Sequence, residues 1–134
     1  MGGGRDMRQQ FTIRGRLCSL NEYVAAAHTP WKRTKLKQEQ EAIVTEAAER
    51  AGIVPMEPPI AVYITYFEAR GSKRQRVRDL DNVAGAGNKF IMDALVSMGI
   101  IPDDDAKTVP TAVYKGFAAT CEPRIVVSLV NGEE

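Results

Sequence analysis

Histidine is almost missing from this 134-residue chain, which has only His28. A metal site built from histidines is therefore out of reach, and Cys–His or Ser–His nucleophilic catalysis has little to draw on. Cysteine is nearly as scarce. Cys18 and Cys121 stand far apart in apolar, strand-like surroundings and match no metal-ligand spacing. They read as buried free thiols of a cytoplasmic protein. No apolar run approaches the roughly 20 residues of a membrane span, so no membrane partner is expected. The N-terminal MGGGRDMRQQ lacks the apolar centre of a signal peptide. Its glycines suggest a flexible leader over 1–10, which leaves 11–134 as one domain. That length supports a single core.

An excess of one charge is missing too, with 18 Lys and Arg against 17 Asp and Glu. Their placement says more. ARGSKRQRVR carries Arg70, Lys73, Arg74, Arg76 and Arg78 with no acid among them, and PWKRTKLK adds Lys32, Arg33, Lys35 and Lys37. The acids gather in DLD at 79–81 and DDD at 103–105. Segregation of this kind points to a surface that meets a polyanion, with two solvated loops as the alternative.

FTIRGRLCSL alternates as a strand does and offers Phe11, Ile13 and Leu17 to a core. NEYVAAAHTPWKR reads as a loop broken by Pro30. From Thr34 to Ala51, Leu36, Ile43, Ala47 and Ala51 recur at helical spacing, and Gly52 is a fitting stop. After the turn VPMEPP, the β-branched and aromatic IAVYITYFEA is a strand with both faces partly covered. Asn82 is placed to cap a second helix that ends at Gly99. TAVYKGFAA and RIVVSLV are two closing strands with CEP as a hairpin between them. The order β-α-β-α-β-β describes one α+β domain, a small mixed sheet packed by two helices.

If the chain is extended at DLD, Asp79 and Asp81 point the same way and Leu80 turns into the core. Two adjacent carboxylates repel unless a cation relieves them, and Mg²⁺ is the natural one. The next helix carries Lys89 and Asp93 four residues apart, then delivers Asp103, Asp104 and Asp105 beyond Gly99. A helix of about 16 residues is about 24 Å long, so this turn lies far from Asp79 unless the following strand runs back.

Taken in order, Arg78-Asp79-Leu80-Asp81-Asn82, Lys89 with Asp93-Ala94-Leu95, and Gly99 with Asp103-Asp104 resemble the signature of the RusA family of Holliday-junction resolvases. SLNEY at 19–23 falls where that family carries a polar, Asn-containing loop. The resemblance implies a homodimer that resolves four-way DNA junctions by paired symmetric nicks. The cofactor would be Mg²⁺, with Mn²⁺ able to substitute, held by Asp79, Asp81 and Asp104. Lys89 would steady the scissile phosphate. Arg74, Arg76 and Arg78, with Lys73, Lys32, Arg33 and Asn21, would contact DNA, chiefly its phosphates.

Two departures accompany the match. Lys89 stands eight residues after Asp81, four more than in the shortest family pattern, so VAGAGN must either lengthen the helix or loop back. DDD also leaves the third ligand between Asp104, counted from Gly99, and Asp105, counted from Lys115; Asp104 is preferred. Asp93 reads as an ion-pair partner of Lys89, and Asp103 and Asp105 as solvated turn residues. Trp31 is expected to be a buried or half-buried anchor, with stacking on an unpaired base as the alternative. The rival functions are a nuclease for other branched DNA and a junction-binding protein without turnover. A D-x-D sugar-nucleotide transferase would need a nucleotide-binding domain for which the chain has no room.

Overall fold

A computed structural model of the chain describes residues 7–69, 80–120 and 122–131. Its elements run β1 (Arg8–Arg14), α1 (Leu20–Ala27), α2 (Pro30–Arg50), β2 (Ile60–Ala69), α3 (Leu80–Ser97), β3 (Thr111–Thr120) and β4 (Arg124–Asn131). The strands form one mixed sheet in the order β1-β4-β2-β3, with β2 and β3 parallel and the other pairs antiparallel. This is the α+β class expected, with three helices in place of two. β1 also takes in Arg8, Gln9 and Gln10, which the sequence reading assigns to the leader.

Alternation divides the sheet into a covered face and an open one. Phe11 and Ile13 of β1, Ile125, Val127 and Leu129 of β4, and Ile60, Val62, Ile64 and Tyr66 of β2 are all buried on the covered face. Val44 and Ala48 of α2 close over them, as do Val83, Ile91, Ala94 and Leu95 of α3. The buried stripe of α2 runs one residue later than its expected Ile43 and Ala47, because Ile43 remains 39% exposed. Among the described residues, no helix is long and apolar enough to cross a membrane.

Three local expectations are corrected. The stretch read as a loop after β1 forms α1, held by a capping box. Ser19 Oγ accepts from the Glu22 backbone N–H at 3.2 Å, and Glu22 Oε1 accepts from the Ser19 N–H at 2.8 Å. Pro30 starts α2 rather than breaking the chain, since the first helical position has no partner for an N–H. The last two strands do not form a hairpin. β4 buries Ile125, Val127 and Leu129 and takes a central place, while β3, exposed from Ala112 to Phe117, stays at the edge. α3 carries the chain from β2 to β3, the crossover that a parallel pair requires.

Candidate functional site

Segment 70–79, with Arg70, Lys73, Arg74, Arg76, Arg78 and Asp79, lies outside the described residues, as does Cys121. The neighbouring Leu80 and Asp81 are already in the first turn of α3. Asp81 therefore does not share an extended strand with Asp79, and Leu80 is 36% exposed instead of turning into the core. Nor is Asn82 an N-cap. Its Oδ1 accepts from the backbone N–H of Asn21 at 3.0 Å, which ties the start of α1 to the start of α3. Leu20, Asn21, Leu80, Asp81 and Asn82 line an open cleft of about 490 Å³. Asp81 is exposed there, where the positive end of the helix dipole favours a carboxylate.

VAGAGN is helical throughout, so it lengthens α3 and does not loop back. Gly87 is needed at its place, since a Cβ there would lie 2.7 Å from Tyr66 Oη. That hydroxyl donates to Asn88 Oδ1 at 2.5 Å. Eight residues past Asp81, Lys89 stands about 12 Å further along the axis and about 80° beyond two full turns. Lys89 Nζ lies 3.4 Å from Asp93 Oδ2, and Lys37 Nζ approaches the same oxygen at 3.6 Å. Asp93 is thus an ion-pair partner, as expected. Lys89 is held on the helix surface, away from Asp81.

The DDD turn follows the other end of α3. Gly99 turns the chain at φ 75°, and the Ile100 carbonyl accepts from the Met56 N–H at 2.9 Å. The Thr108 carbonyl accepts from the Ile60 N–H at 2.8 Å, which anchors the segment at the start of β2. Leu80, by contrast, packs by Gly116, opposite Tyr66 near the end of β2. Asp104 and Asp81 are therefore separated by the length of α3, about 24 Å from Asp81 to the last helical residue. β3 does run back along the sheet, but the aspartates precede it.

Within the turn the three carboxylates differ. Asp103 Oδ1 accepts from the Asp104 N–H at 2.7 Å. Asp105 Oδ1 accepts from the Lys107 and Thr108 N–H groups at 3.1 and 2.9 Å. The Thr108 bonds hold the Asp105 carboxyl below its ordinary value. The Asp104 side chain makes no such bond among the described residues. No group of three His, Cys, Asp or Glu side chains able to hold a metal is present among the described residues.

Lys32, Arg33 and Lys35 are exposed on α2, while Lys37 is engaged with Glu41 at 3.8 Å and with Asp93. Trp31 is 64% exposed on the first turn of α2 and is not an anchor. One carboxylate escaped the sequence reading. Glu68 is buried near the end of β2, 3.2 Å from Arg16 Nη2. Alternation through Ile64 and Tyr66 was the available signal, because it puts residue 68 on the covered face. No protein-family model matches the chain, and no curated protein matches it.

Proposed function

We propose that this chain is a Mg²⁺-dependent endonuclease of branched DNA, with a RusA-like topology, that resolves four-way junctions as a homodimer. The observation that carries the reading is the compound motif of aspartates and Lys89, strung on the β2-α3-β3 unit directly after a basic run. Two features support its assignments. Asp81 opens on a cleft, and Asp104 is the one acid of DDD whose carboxylate is not occupied by its own turn.

The length of α3 changes how such a site must be assembled. Asp81 and Asp104 of one chain cannot share an ion, since Mg²⁺ holds its oxygens at about 2.1 Å. In a two-fold dimer, Asp79 and Asp81 of one copy would meet Asp104 of the other. The edge of β3 provides a place for the second copy. It is ten residues long and exposes Val113 and Tyr114, with Leu80 beside it. Lys115 is the one charge along it. Antiparallel pairing of two such edges sets the end of α3 in one copy beside its start in the other. A bound Mg²⁺ would lower the pKa of a water and relieve charge on the phosphoryl oxygen. The aspartates would position that ion, and the basic residues of 70–78, with Lys32 and Arg33 of α2, would hold the phosphates on either side.

The test compares a synthetic four-way junction with a linear duplex in Mg²⁺ at low salt. Cleavage confined to the junction, on opposite strands, is the expected outcome, and Asp81→Asn should bind without cutting. Equal cutting of both substrates, or of neither, counts against a resolvase. The separation of Asp81 from Asp104 within a chain also favours a second reading, a junction-binding protein without turnover. Salt-sensitive binding with no metal-dependent cleavage by the wild type would select it.

A further inference from the structure

The open face of the sheet carries a pattern that the nuclease reading does not use. Pairing registers align one row across it, Arg14 of β1, Arg124 of β4, Phe67 of β2 and Phe117 of β3. Phe67 and Phe117 stack with ring centroids 5.6 Å apart and planes at 21°. The Arg124 guanidinium lies 4.0 Å from the Phe67 ring, and Lys115 Nζ lies 5.6 Å from the Phe117 ring. Phe117 is 47% exposed. Arg14 and Arg124 are direct cross-strand neighbours on this face. In none of the four strands does an acidic residue occupy this face. The row lies at the same end of the sheet as the start of α3, on the face opposite the one against which Leu80 packs.

We infer that this face binds single-stranded DNA, with Phe117 stacking on an unpaired base, Phe67 and Arg124 packed behind it as its support, and Arg14 and Lys115 meeting the phosphates. The choice of DNA over RNA rests on the nuclease reading; the platform itself does not. Exposed aromatics bordered by cations on a bare sheet suit unpaired bases, because a duplex offers its π-faces only at its ends. Charge also speaks against a second copy on this face. Two such surfaces would bring arginines and lysines together with no carboxylate between them.

The experiment is fluorescence anisotropy of a labelled 15-nucleotide oligothymidine in EDTA, so that no cleavage enters the signal. Binding should be salt-sensitive, weaker for a duplex of equal length, and reduced about tenfold or more by Phe117→Ala and by Phe67→Ala. Lys115→Ala should reduce the salt slope, and Arg50→Ala, on the helical layer, should leave binding unchanged. Circular dichroism checks that each variant is folded. Unaltered binding in both Phe variants, or none by the wild type at low salt, overturns the platform. Tighter binding of oligouridine overturns the choice of DNA. If Phe67→Ala instead turns a dimer into a monomer on sedimentation, the face belongs to a second copy and the inference is wrong. Failure of junction cleavage with strand binding intact would touch only the nuclease reading.

Discussion

Two inactive variants of this protein should rescue each other. The 18 residues of α3 extend about 27 Å. Asp81 is in its first turn, and Asp104 lies beyond its last, in a segment fastened to the start of β2. An aspartate side chain reaches only about 3–4 Å from its backbone, while two carboxylates on one Mg²⁺ lie within about 4 Å of each other. No rotamer change closes the gap, so a site holding both residues must draw them from two chains. Asp81→Asn and Asp104→Asn should each abolish junction cleavage. In a heterodimer of the two, one site carries both substitutions and the other carries neither.

Random mixing in equal amounts makes about half of the dimers mixed, each with one of two sites intact. Cleavage should therefore return to about a quarter of the wild-type number of sites, with nicked junctions as the product in place of paired cuts. Differently tagged copies allow the heterodimer to be purified, and a denaturing gel of end-labelled junction counts the nicks per strand. A purified heterodimer that binds the junction yet cuts no better than either parent would refute assembly in trans. Wild-type activity in Asp104→Asn would remove that residue from the site altogether.

Three further outcomes follow from the fold and the turn. Gly87→Ala should cost about 1–3 kcal/mol in urea denaturation, because its methyl meets the Tyr66 hydroxyl at 2.7 Å and displaces it from Asn88. A gain in stability from that change would show that helix propensity outweighs the contact. Ser19→Ala should lower stability by about 1 kcal/mol through loss of the cap on α1, and Ser19→Asp should restore most of it. Asp105 should titrate below 3.8 because the backbone N–H and side-chain hydrogen bonds from Thr108 favour its ionised form. The native group thus takes its proton at lower pH than the unfolded chain. The turn is held above that range and loosens as pH falls through the depressed native value. The Thr108 amide shift, followed by NMR, should move with that midpoint; a midpoint at or above 3.8 contradicts the bonding.

Much of this architecture was legible in local pattern. IAVYITYFEA is β2 and RIVVSLV begins β4, each with its buried residues on alternate positions. Gly99 ends α3 as a left-handed turn residue. Ser19-x-x-Glu22 also announced a helix start, but Pro30 was weighted as a breaker when its place at the first helical position costs no hydrogen bond. Strand order was not legible. Nothing in CEP says whether β3 and β4 pair, because that depends on which strand finds a partner on both of its edges in the finished sheet. Exposure decides it only afterwards, with β3 left open at the edge. Trp31 was misjudged for a similar reason, since a large aromatic is usually drawn to cover, and here the first turn of α2 projects beyond the core.

The VAGAGN segment shows how one local choice governs the proposed site. Two glycines in six residues argue for a loop on intrinsic preference, at about 1 kcal/mol each against a helix. Their missing side chains serve packing instead. A Cβ on Gly85 would stand 3.1 Å from Leu20, and one on Gly87 would stand 2.7 Å from Tyr66, so the bare helix lets α1 and β2 approach. Contacts thus offset propensity, and the segment becomes a turn of α3 in place of a bend. That turn carries Lys89 away from Asp81 and into its pairing with Asp93. It also lengthens the span between Asp81 and Asp104, and so makes the second copy a structural requirement of a three-aspartate site.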